Sequence, residues 1–122
     1  MSSPLRYATI NGRTDAVRLL LTHGASVSEL DIYCISFSTD NDVDTLGLLI
    51  DAGFDVNMVS REKRTILHVT SYSGRYQIVE VLVRAGANIN MRDTWNDTPL
   101  TDAMNKQHHG VVELLKKHGA HM

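Results

Sequence analysis

Two stretches 33 residues apart say nearly the same thing, and that spacing limits what the chain can become. Thr65-Ile66-Leu67-His68 returns as Thr98-Pro99-Leu100, and Gly86-Ala87 returns as Gly119-Ala120. With one residue of each start and the glycine of each end as markers, the starts fall at Leu5, Cys34, Leu67 and Leu100. The ends fall at Gly24, Gly53, Gly86 and Gly119. Both series are spaced 29, 33 and 33, and the start-to-end distance is 19 in every copy. A fixed period of roughly 20–50 residues marks a stack of small units, each covering its neighbour's apolar face.

Each copy reads as two helices. Ser3, Thr65 and Thr98 supply side-chain oxygens for the unpaired amides of a helix start. Pro4 and Pro99 take the first helical position, where a missing N–H costs nothing. Gly12 and Gly74 stand seven residues after the marker leucine, where the short first helix must stop in a left-handed conformation. Asn41 can serve there less well, and Gln107 suits the position poorly. The second helices carry the apolar sets Val17/Leu19/Leu20, Leu46/Leu48/Leu49, Val79/Val81/Leu82 and Val112/Leu114/Leu115. The fold class is therefore an all-α solenoid of stacked helix–turn–helix pairs.

This pattern resembles the ankyrin repeat over essentially the whole chain, with copies at about 3–31, 32–64, 65–97 and 98–122 forming a single domain. The resemblance implies antiparallel helix pairs with a hairpin-like loop projecting from each junction. It further implies a module that binds protein partners through loop tips and concave inner helices and is not itself catalytic. No cofactor is implied.

Composition excludes several alternatives. Twelve basic and 14 acidic residues give a formal charge of −2, which offers nothing to a polyanion, so nucleic acid is not an expected partner. No apolar run approaches the roughly 20 residues that span a bilayer, and Met1-Ser2-Ser3-Pro4 lacks a signal peptide's apolar stretch. The single cysteine, Cys34, has no internal partner and fits a reducing compartment, so the cytosol is the default location, with the nucleus the alternative. His108-His109, His118 and His121 have no carboxylate or cysteine at metal-ligand spacing. Asp40, Asp42 and Asp44 read as the solvated start of a helix rather than a catalytic pair, and no nucleophile–base set occurs at a meaningful spacing.

Taken in order, the first copy places Tyr7, Ile10 and Asn11 on the inner helix. The loop between Gly24 and Cys34 is four residues short, and Leu30-Asp31-Ile32 replaces the usual turn chemistry. The second copy is the most eroded: Cys34 stands for leucine, Phe37 for alanine, and Ile35-Ser36-Phe37-Ser38-Thr39 is poor in helix formers. Fast amide exchange is expected over residues 33–40. In the third copy Arg61-Glu62-Lys63-Arg64 forms a basic tip, read either as a solvated turn or as a finger meeting an acidic surface. His68 occupies the position that ties adjacent loops by hydrogen bonds, with pH sensing as its alternative role. Tyr72 and Ser73 face the inner groove. Trp95, near the next tip, is either an exposed anchor or folded back over its neighbouring loop.

Two details narrow the resemblance. The shortened loop before a degenerate copy, and the string Arg92-Asp93-Thr94-Trp95-Asn96-Asp97-Thr98-Pro99-Leu100-Thr101-Asp102-Ala103, are similar to the C-terminal ankyrin region of asparaginase/lysophospholipase-type enzymes. The string also resembles the ankyrin tails of glutaminases, some plant kinases and potassium channels. Two functions follow. One is a protein-interaction module using Tyr7, Asn11, Thr39, Asp40, Tyr72, Ser73, Trp95, Asp102 and Asn105, with the finger from Arg61 to Arg64. The other is an accessory domain of a larger enzyme, packing within its own polypeptide or on a second copy through incomplete ends.

Overall fold

A computed structural model describes residues 4–32, 34 and 42–121, the side chains of residues 29 and 42 excepted. The readings made above for Ser3, Phe37, Thr39, Asp40 and Asn41, and for exchange over 33–40, lie outside the described residues. Seven α-helices are described: α1 Pro4–Ile10, α2 Thr14–Thr22, α3 Asp42–Asp51, α4 Ile66–Tyr72, α5 Tyr76–Arg84, α6 Pro99–Asn105 and α7 His109–Lys117. A single 3-10 turn, Val27–Glu29, fills the shortened first junction. The only β pairing among the described residues is the isolated antiparallel bridge of Val59 with Thr65.

The chain divides into two compact units, residues 1–55 and 56–122. In the first, α1 pairs with α2, and α2 lies against α3. Leu5, Val17, Leu30, Ile32, Cys34, Leu46 and Leu49 form its core, and Thr14 and Thr45 join α2 to α3 through hydroxyls 2.9 Å apart. In the second, α4 pairs with α5 and α6 with α7, while α4 lies against α6 and α5 against α7. Its core is Ile66, Leu67, Ile78, Val79, Leu82, Leu100, Val111, Leu114 and Leu115.

The helix ends follow the sequence. Thr65 and Thr98 accept the amides of His68 and Thr101, and Pro99 stands at the first position of α6. Gly24, Gly53, Gly86 and Gly119 have φ between +91° and +101°. The following amides of Ala25, Phe54, Ala87 and Ala120 turn back to the carbonyls of Leu20, Leu49, Leu82 and Leu115, as a Schellman stop requires.

Two expectations need correction. Gln107 takes the left-handed conformation despite its side chain, with φ +60°, as Gly12 and Gly74 do. The His108 amide closes the turn onto the Ala103 carbonyl at 2.9 Å, and this offsets a strain on the order of 1–3 kcal/mol. The apolar triads are also not uniformly buried. Leu19 is 59% exposed and Leu48 and Val81 are half-buried, whereas Leu114 is buried. The middle residue lies about 200° from the first on a 3.6-residue helix, so it leaves the helix's own core stripe. Only a helix pair lying against that side covers it, as α5 does for α7.

Candidate interaction surface

The surface begins with two loop tips of matching construction, 33 residues apart. In the first, the Ser60 amide donates to the Arg64 carbonyl at 2.9 Å, and the Ser60 hydroxyl accepts the amides of Glu62 and Arg64. In the second, the Asp93 amide donates to the Asp97 carbonyl at 3.0 Å, and Asp93 Oδ1 accepts the amides of Trp95 and Asp97, each at 2.9 Å. Lys63 and Asn96 turn the two tips with φ of +60° and +66°. A short polar side chain folding onto the amide two residues on is the usual chemistry of such turns. The Thr94 amide then donates to the Glu62 carbonyl at 2.8 Å and ties one tip to the other.

Beneath the tips lies an ion cluster. Arg64 Nη1 donates to Asp93 Oδ2 at 2.7 Å, and Nη2 donates to Asp102 Oδ2 at 2.9 Å. The Asp93 carboxylate is fully covered, and Asp102 is 5% exposed. One guanidinium therefore bridges two buried carboxylates, which only the forked geometry of arginine allows. The two acids respond differently. Burial works to raise Asp93, but the Asp97 amide, Arg64 and the Trp95 amide outweigh it and hold the carboxyl below its ordinary value. At Asp102 burial dominates, and the carboxyl rises despite Arg64.

His68 is wholly buried between the same elements. Its Nδ1 accepts the Thr65 amide at 3.0 Å, which leaves the proton on Nε2 to donate to the Asp97 carbonyl at 2.9 Å. Burial pushes its pKa down, against the upward pull of that carbonyl. The loop-tying role expected for His68 is thus observed.

Above this base stand the exposed aromatic side chains. Trp95 is 63% exposed at its tip, and Tyr72 is 46% exposed at the end of α4. Lys106 Nζ lies 4.8 Å from the centre of the Tyr72 ring, and His108 Nε2 meets the Tyr72 carbonyl at 3.0 Å. Ser73, Asn105 and Arg61 are exposed. Asp102, placed on the groove by its spacing, faces inward to Arg64. Arg64 itself is held between carboxylates, so Arg61 and Lys63 are the exposed cations of that tip. In residues 1–55, Asn11 is exposed and its amide donates to the Tyr7 carbonyl at 2.8 Å. Tyr7 is 62% exposed, in a groove shared with Leu19 rather than on the inner-helix face alone. Ile10 is half-buried.

Sequence reasoning missed a pair of asparagines. Asn57 Oδ1 accepts the Asn88 amide at 2.7 Å, and Asn90 Oδ1 accepts the His121 amide at 3.0 Å. Both donors and both acceptors repeat at 33 residues, and that spacing is the signal that could have found them. Arg64 with Asp93 and Asp102 was equally open to discovery as opposite charges one period apart, give or take a helical turn.

A family profile described as three copies of Ankyrin repeats matches residues 32–122, and a single Ankyrin repeat matches residues 2–32. The chain belongs to the ankyrin-repeat family. Such repeats are protein-interaction modules and are generally non-catalytic. Serine/threonine-protein kinase 12 of Arabidopsis thaliana is 34% identical over 83 residues, covering 68% of this ankyrin chain and 18% of the kinase. The B-cell lymphoma 3 protein homolog of Mus musculus is 32% identical over 117 residues, 92% of this chain and 25% of that protein. L-asparaginase of Dirofilaria immitis is 28% identical over 83 residues, 68% of this chain and 14% of the enzyme. The chain thus spans at most a quarter of these curated relatives. Among the described residues, no helix is long and apolar enough to cross a membrane.

Proposed function

We propose that this ankyrin domain binds a protein partner through the tips and inner helices of residues 56–122. The observation that carries the reading is the exposure of Tyr72 and Trp95 on a scaffold whose tips are fixed by buried hydrogen bonds. Aromatic side chains held rigidly in water are the usual anchors of an interface, because little side-chain freedom remains to be lost on binding. Ser73, Asn105 and Arg61 supply polar contacts around them, and Arg64 positions Trp95 through Asp93. In residues 1–55, Asn11 belongs to the same reading, as do Thr39 and Asp40 by sequence register. The cytosol, or the nucleus, is the proposed setting.

Affinity capture from a cytosolic lysate tests this, with the natural chain beside a Tyr72→Ala/Trp95→Ala variant. A protein retained by the former and lost by the folded variant is the expected result. Equal retention by both overturns the assignment of the anchors.

A second reading has its own support. The relatives are several times longer than this chain, and one is an asparaginase. On that reading the repeats serve as a regulatory or assembly module of a larger enzyme, on the same polypeptide or on a second copy. Capture that requires no other protein species, only further copies of the chain, favours it.

A further inference from the structure

The groove of residues 1–55 is a stacking face without its cover. It is lined by Pro4, Tyr7 and Ala8 of α1, Arg13, and Ala16, Leu19 and Leu20 of α2. Counted from the marker leucines, these are the positions of Pro99, Asp102, Ala103, His108, Val111, Leu114 and Leu115. In residues 56–122 that second set is the side of α6 and α7 on which α4 and α5 lie. The same positions therefore differ sharply in cover. Tyr7 is 62% exposed where Asp102 is 5%, and Leu19 is 59% exposed where Leu114 is 6%.

The register also says how the missing element is oriented. His108 Nε2 meets the carbonyl of Tyr72, the last residue of α4, at 3.0 Å. Arg13 stands at the position of His108 and is the only charged side chain lining the groove. A helix carries partial negative charge on its last carbonyls, and a guanidinium donates to them readily. An apolar trough ending in one cation thus complements the apolar face and the C-terminal end of a helix.

We propose that the groove of α1 and α2 docks an amphipathic helix of a partner protein, laid as α4 lies on α6, with its last carbonyls against Arg13. Leu19 and Tyr7 bury against the apolar stripe of that helix, and Arg13 fixes its direction. This site is separate from the Tyr72 and Trp95 surface.

The test uses the full chain and an acetylated, amidated 16-residue helical peptide with leucines spaced three and four apart. Its control has the same residues with the leucines scrambled. Backbone amide shifts are followed by nuclear magnetic resonance. Saturable binding of the amphipathic peptide, confined to amides of residues 4–20, is expected. Leu19→Glu should weaken it about tenfold or more, since a leucine leaves water on docking. Arg13→Ala should weaken it less, and the scrambled peptide should not saturate. Tyr7→Ser gives an independent loss at a residue too exposed to govern folding, in case Leu19→Glu perturbs α2. Affinity unchanged in Leu19→Glu and Tyr7→Ser, or equal binding of the scrambled peptide, overturns the proposal. So does concentration-dependent self-association of the chain, seen by sedimentation and abolished by Leu19→Glu, because a second copy is then the occupant.

Discussion

At the scale of single residues, Arg64 and His68 govern the second unit. Removing Arg64 leaves two buried carboxylates facing each other without a cation. Arg64→Ala should cost about 3–5 kcal/mol in urea unfolding, and Arg64→Lys should recover only part, since an ammonium cannot fork between two acids. His68 makes stability depend on pH. Its folded pKa lies below the ordinary value of 6.5, so the unfolded chain takes up the proton first as pH falls. Its contribution is complete above about pH 6.5 and is lost as pH drops toward the folded value. Melting temperature should fall more between about pH 7.5 and 5 in the natural chain than in His68→Gln. Equal slopes contradict this. At lower pH, Asp93 adds to the loss and Asp102 opposes it, because their shifts have opposite sign. The place of His68 was legible from the Thr65-Ile66-Leu67-His68 string. The inward turn of Asp102 was not, because its spacing matched an inner-helix position equally well and only the partner 38 residues back decides its direction.

At the scale of elements, helix stops were the most legible feature and the faces of second helices the least. A glycine at a fixed distance from a leucine announces its own conformation. A leucine such as Leu19 does not reveal whether a neighbour covers it. The stops nevertheless differ in tolerance. A Cβ added at Gly74 would come within 2.6 Å of the His108 ring, whereas at Gly86 it meets open space, and φ is positive at both. Gly86→Ala should cost about 1 kcal/mol from backbone strain. Gly74→Ala should cost measurably more, and should break the hydrogen bond of His108 to Tyr72. Equal melting temperatures for the two variants would show that the imidazole moves aside freely.

At the scale of the whole molecule, the formal charge of −2 conceals a division. Residues 1–55 carry three basic and eight acidic side chains, and residues 56–122 carry nine and six. An acidic partner meeting the second unit should therefore associate more slowly as salt rises. At one hundred times its dissociation constant, any partner of Tyr72 and Trp95 should raise unfolding free energy by about 2.7 kcal/mol. It should protect the amides of 66–73 and 99–105 from exchange, and protection elsewhere alone would move the site. The fold could be read from the period, but the partner could not. A repeat encodes how it meets the next repeat, whereas its outward residues answer only to something outside the chain. The asparagine pairs show what the former permits. Because Asn57 and Asn90 each hold an amide 31 residues ahead, the joint between successive units has one fixed form. Such a joint lets a gene change the reach of its product by duplicating or losing whole 33-residue blocks, while a shift of one residue within a block would unfasten it.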